Sequence, residues 1–384
     1  MRRKVCIVVT ARPSYARIKT VLQAVRDHPD LQLQLVIAAS ALLDRYGSAI
    51  DVIRADGFEP DAQVYMILEG ENLTTMAKST GLGLLELATV FDNLRPDIVV
   101  SVADRFETLA TAVAASYMNI PTVHVQGGEI TGSIDEKVRH AVTKLADAHF
   151  VCTQRAGENV IRMGEREDRV FLTGCPSIDI AAEVARSPEL TIDPLESFGG
   201  TGPDLDLSDG YLVVLQHPVT TEHREAMLQV EETLHATRDS GLPVLWFWPN
   251  VDAGSDGTSK GIRVFREQED LQNMHFFRNM PPEDFLRLLI GGSGIIGNSS
   301  VAIRECSYLG VPAVNIGSRQ GGRERGRNVL DVEHDRDAIL EAALAQAAAR
   351  RHDCDPLYGD GSAGTRIADL LATIDIGIEK RLTY

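Results

Sequence analysis

GIIGNSSVAIRECSYLGVPAVNIGSR, residues 294–319, is the stretch whose reading decides the fold class. Ile295 and Ile296 read as a short buried strand, followed by a Gly-Asn-Ser-Ser turn. A short helix comes next, with Ser299 or Ser300 as its N-cap, Gly310 as its stop and Pro312 as a breaker beyond it. Ala313–Ile316 reads as a second strand. Strand, turn, helix and strand in 26 residues make a βαβ unit, and so a parallel sheet. Small hydroxyl residues at the start of a helix bring unpaired N–H groups and the positive end of the dipole towards an anion. Glu305, one to two turns into that helix, is placed to accept hydrogen bonds from ribose hydroxyls. The plainer reading is a capped helix in an ordinary βαβ unit.

The same pattern recurs outward from this stretch. Strand-like runs occur at Lys4–Val9, Leu33–Ala38, Ile98–Val102, Thr122–Val125, His149–Val151 and Val170–Leu172, then at Tyr211–Gln216, Val244–Trp248, Met274–Phe277, Gly294–Gly297 and Ala313–Ile316. Helix-length amphipathic segments separate them, which predicts parallel sheets covered by helices on both faces. The expected fold class is α/β, with two Rossmann-like, doubly wound domains facing across a cleft. Residues 1–186 form the first domain and 211–362 the second. The Gly-, Pro- and Asp-rich run 187–210 joins them, and 363–384 is a C-terminal helix that packs back on the first domain.

Composition narrows the function. A chain of 384 residues exceeds one comfortable core. Its formal net charge of −17 disfavours nucleic acid or an anionic membrane as a bulk partner, so an anionic ligand needs a local basic cluster. The five cysteines are scattered with no CxxC pair or metal-ligand spacing, which fits reduced thiols in a cytoplasmic protein. No apolar run approaches the length of a membrane span.

In open parallel sheets ligands bind outside the carboxyl ends of the strands, so polar residues just after each strand carry the chemistry. Arg12 precedes Pro13 after the first strand, either on the surface or aimed into the crevice. Asp104-Arg105 follows Ile98–Val102 and is either a local ion pair or a site for an anion and a proton. Gln126-Gly-Gly-Glu129 follows a strand that carries His124, and its paired glycines permit close backbone approach. Asp135, Glu136, Arg139 and His140 stand at helical spacing, with Glu136 also readable as part of a solvated face. His217, between a strand and Pro218, is either structural or a group that serves a phosphate. Asn250 opens another polar turn.

These blocks, in this order, resemble the UDP-N-acetylglucosamine 2-epimerase family, most nearly its hydrolysing, N-acetylmannosamine-forming branch. The resemblance rests on DRFETLA from Asp104, GGEITGSID from Gly127, RHAVTKL from Arg139, TGCPS from Thr173, QHPVTT from Gln216, PNVDAGS from Pro249, GNSS from Gly297, GSRQ from Gly317 and YGDG from Tyr358. It covers nearly the whole chain and implies the two-domain GT-B architecture, a homodimer, UDP-N-acetylglucosamine and UDP as ligands, and no catalytic metal or other cofactor. It assigns Ser299 and Ser300 to the diphosphate and Glu305 to the ribose. Arg12, Arg105, His217, Asn250, Met280 and Arg319 match positions around the nucleotide. Asp104 and Asp135 match catalytic carboxylates.

Two departures stand out. The family's glutamate before the glycine pair is Gln126 here, and the opening loop reads Arg12-Pro-Ser-Tyr-Ala16, an Arg-Pro pairing like that of the non-hydrolysing branch. Both lie on the sugar side. The implied chemistry is loss of UDP to a 2-acetamidoglucal, then addition of water to give N-acetylmannosamine. Re-addition of UDP instead gives UDP-N-acetylmannosamine, and a homologue that binds a nucleotide sugar with altered or lost catalysis is the remaining reading. Gln126 cannot act as a base, which leaves Asp104, Asp135 or Glu129 for the proton.

Overall fold

The computed structural model describes residues 2–43, 49–70, 72–132, 134–249, 254–269, 271–349 and 351–383. The chain divides into two compact units. The first comprises Met1–Ile130, Ile134–Ile180 and Tyr358–Tyr384, and the second Thr131–Ser133 with Ala181–Leu357.

The first unit is built on β1 (Arg3–Val9), β2 (Leu31–Ala38), β3 (Ala62–Val64), β4 (Ile98–Val102), β5 (Thr122–Val125), β6 (Ala148–Val151) and β7 (Val170–Leu172). They lie in the order β3-β2-β1-β4-β5-β6-β7, every pair parallel. The run Val5–Val9 is buried along its length because helices cover both faces of the sheet. Alternate side chains therefore enter two separate cores: Val5, Ile7 and Val9 on one side, Cys6 and Val8 on the other. The last helix, Ala363–Thr373, packs on Lys19–Asp27 and sends Ile367 and Leu371 into the first of these cores. Asp179 fixes its start by accepting hydrogen bonds from the amides of Ala363 (2.8 Å) and Gly364 (2.6 Å) and from Thr20 Oγ1 (2.9 Å).

The second unit carries β8 (Leu212–Leu215), β9 (Val244–Phe247), β10 (Met274–Phe277), β11 (Gly294–Gly297), β12 (Ala313–Ile316) and β13 (Val329–Val332). Their order is β10-β9-β8-β11-β12-β13, again all parallel. In each sheet the order reverses between two adjacent strands, β1 and β4 in one and β8 and β11 in the other. That is where a doubly wound sheet opens a crevice at its carboxyl edge.

The α/β class and every expected strand are present. Two strands went unread, β3 and β13, each at one edge of its sheet; the opposite edges, β7 and β10, were read. Val-Leu-Asp-Val in β13 has no fully buried residue, so its composition carries little strand signal. Within 294–319 both strands fall where expected, and Ser299 is a cap. The segment between them differs from expectation. Ser299 caps a 3₁₀ turn, Ser300–Ala302, and the α-helix is only Glu305–Leu309, with Glu305 as its first residue. Ser299 and Ser300 carbonyls accept from residues three ahead, Ala302 (3.2 Å) and Ile303 (3.1 Å), and the β-branched Val301 and Ile303 favour this tighter start over an α-turn.

Candidate active site

In the second unit the polar turns after β8 and β11 are joined through one side chain. Asn298 is wholly buried, and its Oδ1 accepts from the His217 amide while its Nδ2 donates to the His217 carbonyl, both at 2.8 Å. Its own carbonyl accepts from Arg319 Nη1 (3.2 Å) and Gln320 Nε2 (2.9 Å). Three strand-end turns therefore share one hub. Gly297, before it, has φ +138°, and a Cβ there would lie 2.2 Å from the Leu215 carbonyl oxygen, so only glycine lets β11 close on β8.

Around this hub the expected nucleotide residues take definite places. Ser299 is nearly buried and its hydroxyl faces the Val301 amide at 3.5 Å. Ser300 opens the 3₁₀ turn. Glu305 heads the next helix, and among the described residues its buried Oε2 has no hydrogen-bond partner. A buried carboxylate oxygen without a donor is costly, so this oxygen is open to a donor from outside the described residues. Met280, buried, follows β10. Arg319 sits on the 3₁₀ turn Ser318–Gln320, which Ser318 anchors by donating to Glu222 Oε1; Gln229 Nε2 donates to the other oxygen of Glu222 at 2.7 Å. Asn250 lies outside the described residues.

In the first unit the corresponding ends of β1, β4 and β5 carry the other candidates. Arg12 begins the helix Arg12–Ala16, with Pro13 in its first turn as expected. Burial alone pushes its guanidinium down to about 10, and among the described residues no carboxylate pairs with it. Arg105 forms a two-pronged pair with the fully buried Glu107, Nε to Oε2 and Nη2 to Oε1, each 3.2 Å. Of the two readings of Asp104-Arg105, the local pair within these three residues is Arg105 with Glu107. Asp104 instead receives Arg139 Nη2 and lies 3.8 Å from Arg17.

Arg139 is almost wholly buried and is the residue that sequence reasoning left off the site. It donates to Asp104, to the Glu129 carbonyl (2.8 Å) and to Glu136 (3.1 Å). Burial pulls its guanidinium down, but Asp104, Glu129 and Glu136 together hold it above its ordinary value. Its sequence signals were its helical spacing from Asp135 and Glu136 and its place at the head of the RHAVTKL block. Asp135 is the first residue of that helix, Asp135–Leu145, and is half-buried. Gln126 is buried with φ +69° and donates through Nε2 to Cys175 Sγ (3.1 Å), which in turn contacts Ser177 Oγ at 3.0 Å. His124 is structural: its ring bonds Thr143 Oγ1 (3.0 Å) and the Ala103 carbonyl (2.9 Å), and burial lowers it to about 3.

Each unit thus carries a polar cluster at the carboxyl ends of its strands, the first with Arg12, which no carboxylate pairs among the described residues, and the second with a buried Glu305 oxygen that lacks a donor there. The family model described as UDP-N-acetylglucosamine 2-epimerase matches residues 23–372. The chain belongs to the UDP-N-acetylglucosamine 2-epimerase family. It is 33% identical over 379 residues to the hydrolysing UDP-N,N'-diacetylbacillosamine 2-epimerase of Legionella pneumophila, covering 98% of this chain and 97% of the relative. To the UDP-N-acetylglucosamine 2-epimerase of Neisseria meningitidis it is 25% identical, covering 99% and 98%. The crystal structure of a Neisseria meningitidis UDP-GlcNAc 2-epimerase bound to UDP-GlcNAc has a TM-score of 0.79 at 18% identity, covering 96% of this chain and 99% of that one. At that identity the structural likeness speaks for the epimerase fold, the GT-B type expected from the sequence.

Proposed function

We propose that this epimerase-family chain is a hydrolysing UDP-N-acetylglucosamine 2-epimerase that releases N-acetylmannosamine and UDP. The observation that carries the reading is the near end-to-end similarity, at 33% identity, to a relative whose name specifies the hydrolysing reaction. The geometry supports it. Glu305 takes the ribose hydroxyls, the Ser299–Ser300 turn and Arg319 take the diphosphate, and His217 is fixed beside them by Asn298. Arg12, half-buried on the first unit and without a carboxylate partner among the described residues, is a cation that an anionic ligand group would pair.

C2 of the sugar becomes acidic only as the C1–O bond to UDP breaks. Cations and N–H groups on the departing diphosphate therefore lower the barrier to the whole elimination. The C1–O electrons leave with UDP, the C2–H electrons form the C1=C2 bond of the glycal, and the proton goes to a carboxylate. Water then adds its oxygen to C1 while C2 is protonated from the opposite face.

Incubation with UDP-N-acetylglucosamine in D₂O tests this by proton NMR. Free N-acetylmannosamine with deuterium at C2 is expected. Deuterated UDP-N-acetylmannosamine, or no exchange with UDP binding intact, overturns it. A second reading concerns the substrate, because two of the relatives carry N,N'-diacetylbacillosamine in their names. A larger kcat/KM for the UDP-linked diacetamido sugar than for UDP-N-acetylglucosamine selects that reading. The same proposal takes a cytoplasmic homodimer as the working form, which light scattering on the purified protein checks.

A further inference from the structure

Five non-glycine residues among those described take a positive φ. Arg95 and Asn119 close helices, where the left-handed conformation is ordinary. Ala39, Ala103 and Gln126 instead stand directly after β2, β4 and β5. Alanine has no side-chain oxygen to ease a left-handed backbone, so Ala103, buried and at φ +63°, stays there only if its surroundings hold it. Its peptide groups are gripped on both sides. The Ala103 amide donates to the Val125 carbonyl at 2.9 Å, and its carbonyl accepts from His124 Nε2 at 2.9 Å. That carbonyl lies in the same rigid peptide plane as the amide of Asp104, so the His124 bond sets the direction in which the chain enters Asp104.

The imidazole can do this in one tautomer only. A carbonyl accepts and never donates, so Nε2 carries the hydrogen, and Nδ1 then accepts from Thr143 Oγ1 at 3.0 Å. The ring is wholly buried, and burial keeps it neutral, with a value of about 3, so neither bond changes near neutral pH. Its Nδ1 side also meets the glycine pair. A Cβ on Gly127 would lie 2.9 Å from His124 Nδ1 and 3.0 Å from Thr143 Oγ1, so the loop after β5 rests directly on the ring and its partner. One side chain on β5 therefore fixes the loop after β4 by a hydrogen bond and the loop after its own strand by contact.

We infer that His124 is a positioning residue for the proton chemistry: its Nε2–H bond holds Ala103 left-handed and so aims the Asp104 carboxylate, without the ring touching the sugar. The inference rests on the epimerase reading above, in which Asp104 is a candidate for the C2 proton. Without the bond, Ala103 relaxes towards a negative φ and carries Asp104 out of place. A reacting group displaced by about 1 Å loses roughly 10²-fold in rate, while binding made elsewhere is kept.

The test measures kcat, KM and UDP affinity for the wild type, His124→Gln, His124→Asn and the double variant Ala103→Gly/His124→Asn. The glutamine amide nitrogen reaches about as far as Nε2 and can still donate to the Ala103 carbonyl, whereas that of asparagine reaches only as far as Nδ1. His124→Asn should lower kcat about 10- to 100-fold with KM and UDP affinity within about threefold of wild type, and His124→Gln should stay within about threefold in all three. Glycine takes a positive φ at no steric cost, so the double variant should regain at least about fivefold in kcat over His124→Asn. Equal kcat in His124→Gln and His124→Asn overturns the inference, as does an equal loss of kcat and UDP affinity in His124→Asn, since only packing would then be at stake. No recovery in the double variant overturns it too. If neither His124 variant folds, Thr143→Val carries the test: it removes only the hydroxyl that fixes the tautomer and should lower kcat about three- to tenfold with UDP affinity unchanged, and an unchanged kcat overturns the inference. These outcomes leave the epimerase reading standing, whereas a wild type that binds UDP but releases no sugar overturns both.

Discussion

Replacing Asn298 by alanine isolates the part of the second unit that the chain cannot rebuild from elsewhere. The substitution removes the acceptor of the His217 amide and the donor to the His217 carbonyl, both at 2.8 Å and both buried. A buried backbone group left without a partner costs about 1–3 kcal/mol, so the two together cost about 2–6 kcal/mol. Against a typical stability of roughly 5–15 kcal/mol that is a large share. The assay is direct, because the only two tryptophans, Trp246 and Trp248, lie on or just after β9, in the second unit. Urea unfolding followed by tryptophan fluorescence reports on that unit without interference from the first. Saturating UDP at about 100 times its Kd should add about 2.7 kcal/mol to the wild type, and clearly less to Asn298→Ala, since the His217 turn loses its side-chain anchor while Arg319 keeps the main-chain carbonyl of residue 298. A fluorescence-monitored loss below about 0.5 kcal/mol, with full stabilisation by UDP, would refute the idea that Asn298 organises the site.

Glu305→Gln should weaken UDP about 10- to 100-fold by removing a charge-assisted acceptor worth about 1.5–3 kcal/mol, measured by calorimetry, with little effect on the UDP-free fold. Asp179→Ala strands the amides of Ala363 and Gly364 and should release the helix Ala363–Thr373, seen as faster hydrogen exchange there and a loss of about 1–3 kcal/mol. Acid should destabilise the first unit through His124, whose folded value near 3 lies below its ordinary 6.5. Between these values the unfolded chain binds a proton that the folded one refuses, so stability is full above about 6.5 and falls by about 1.4 kcal/mol per pH unit below it. Circular dichroism melts from pH 7 to pH 4.5 check the direction.

Strands such as Val5–Val9, Ile98–Val102 and Ala313–Ile316 were legible because burial on both faces demands unbroken apolar runs, and their spacing by amphipathic helices left a parallel sheet as the economical arrangement. The turns at Gly297–Ser300 and Gly317–Gln320 were legible because backbone conformation there is a local matter of glycine, asparagine and serine. So were the candidate positions after each strand. The strands β3 and β13 were not, since they are short or little buried and carry little apolar content, whereas the edge strand β10 is buried along its length and could be read.

The sequence alone determined the α/β class, the family and the polar strand-end turns proposed to hold a nucleotide. Tertiary structure decided which of those residues act together. Asn298 meets His217 across 81 positions and Arg139 meets Asp104 across 35, and separations of that size leave no periodic trace in a sequence. Arg139 reads as one more charge on a helix surface, yet it is buried among carboxylates because Asp104 and the Glu129 loop close over it. Charge pairing inside a protein depends on which groups are taken out of water together, and only the folded chain specifies that.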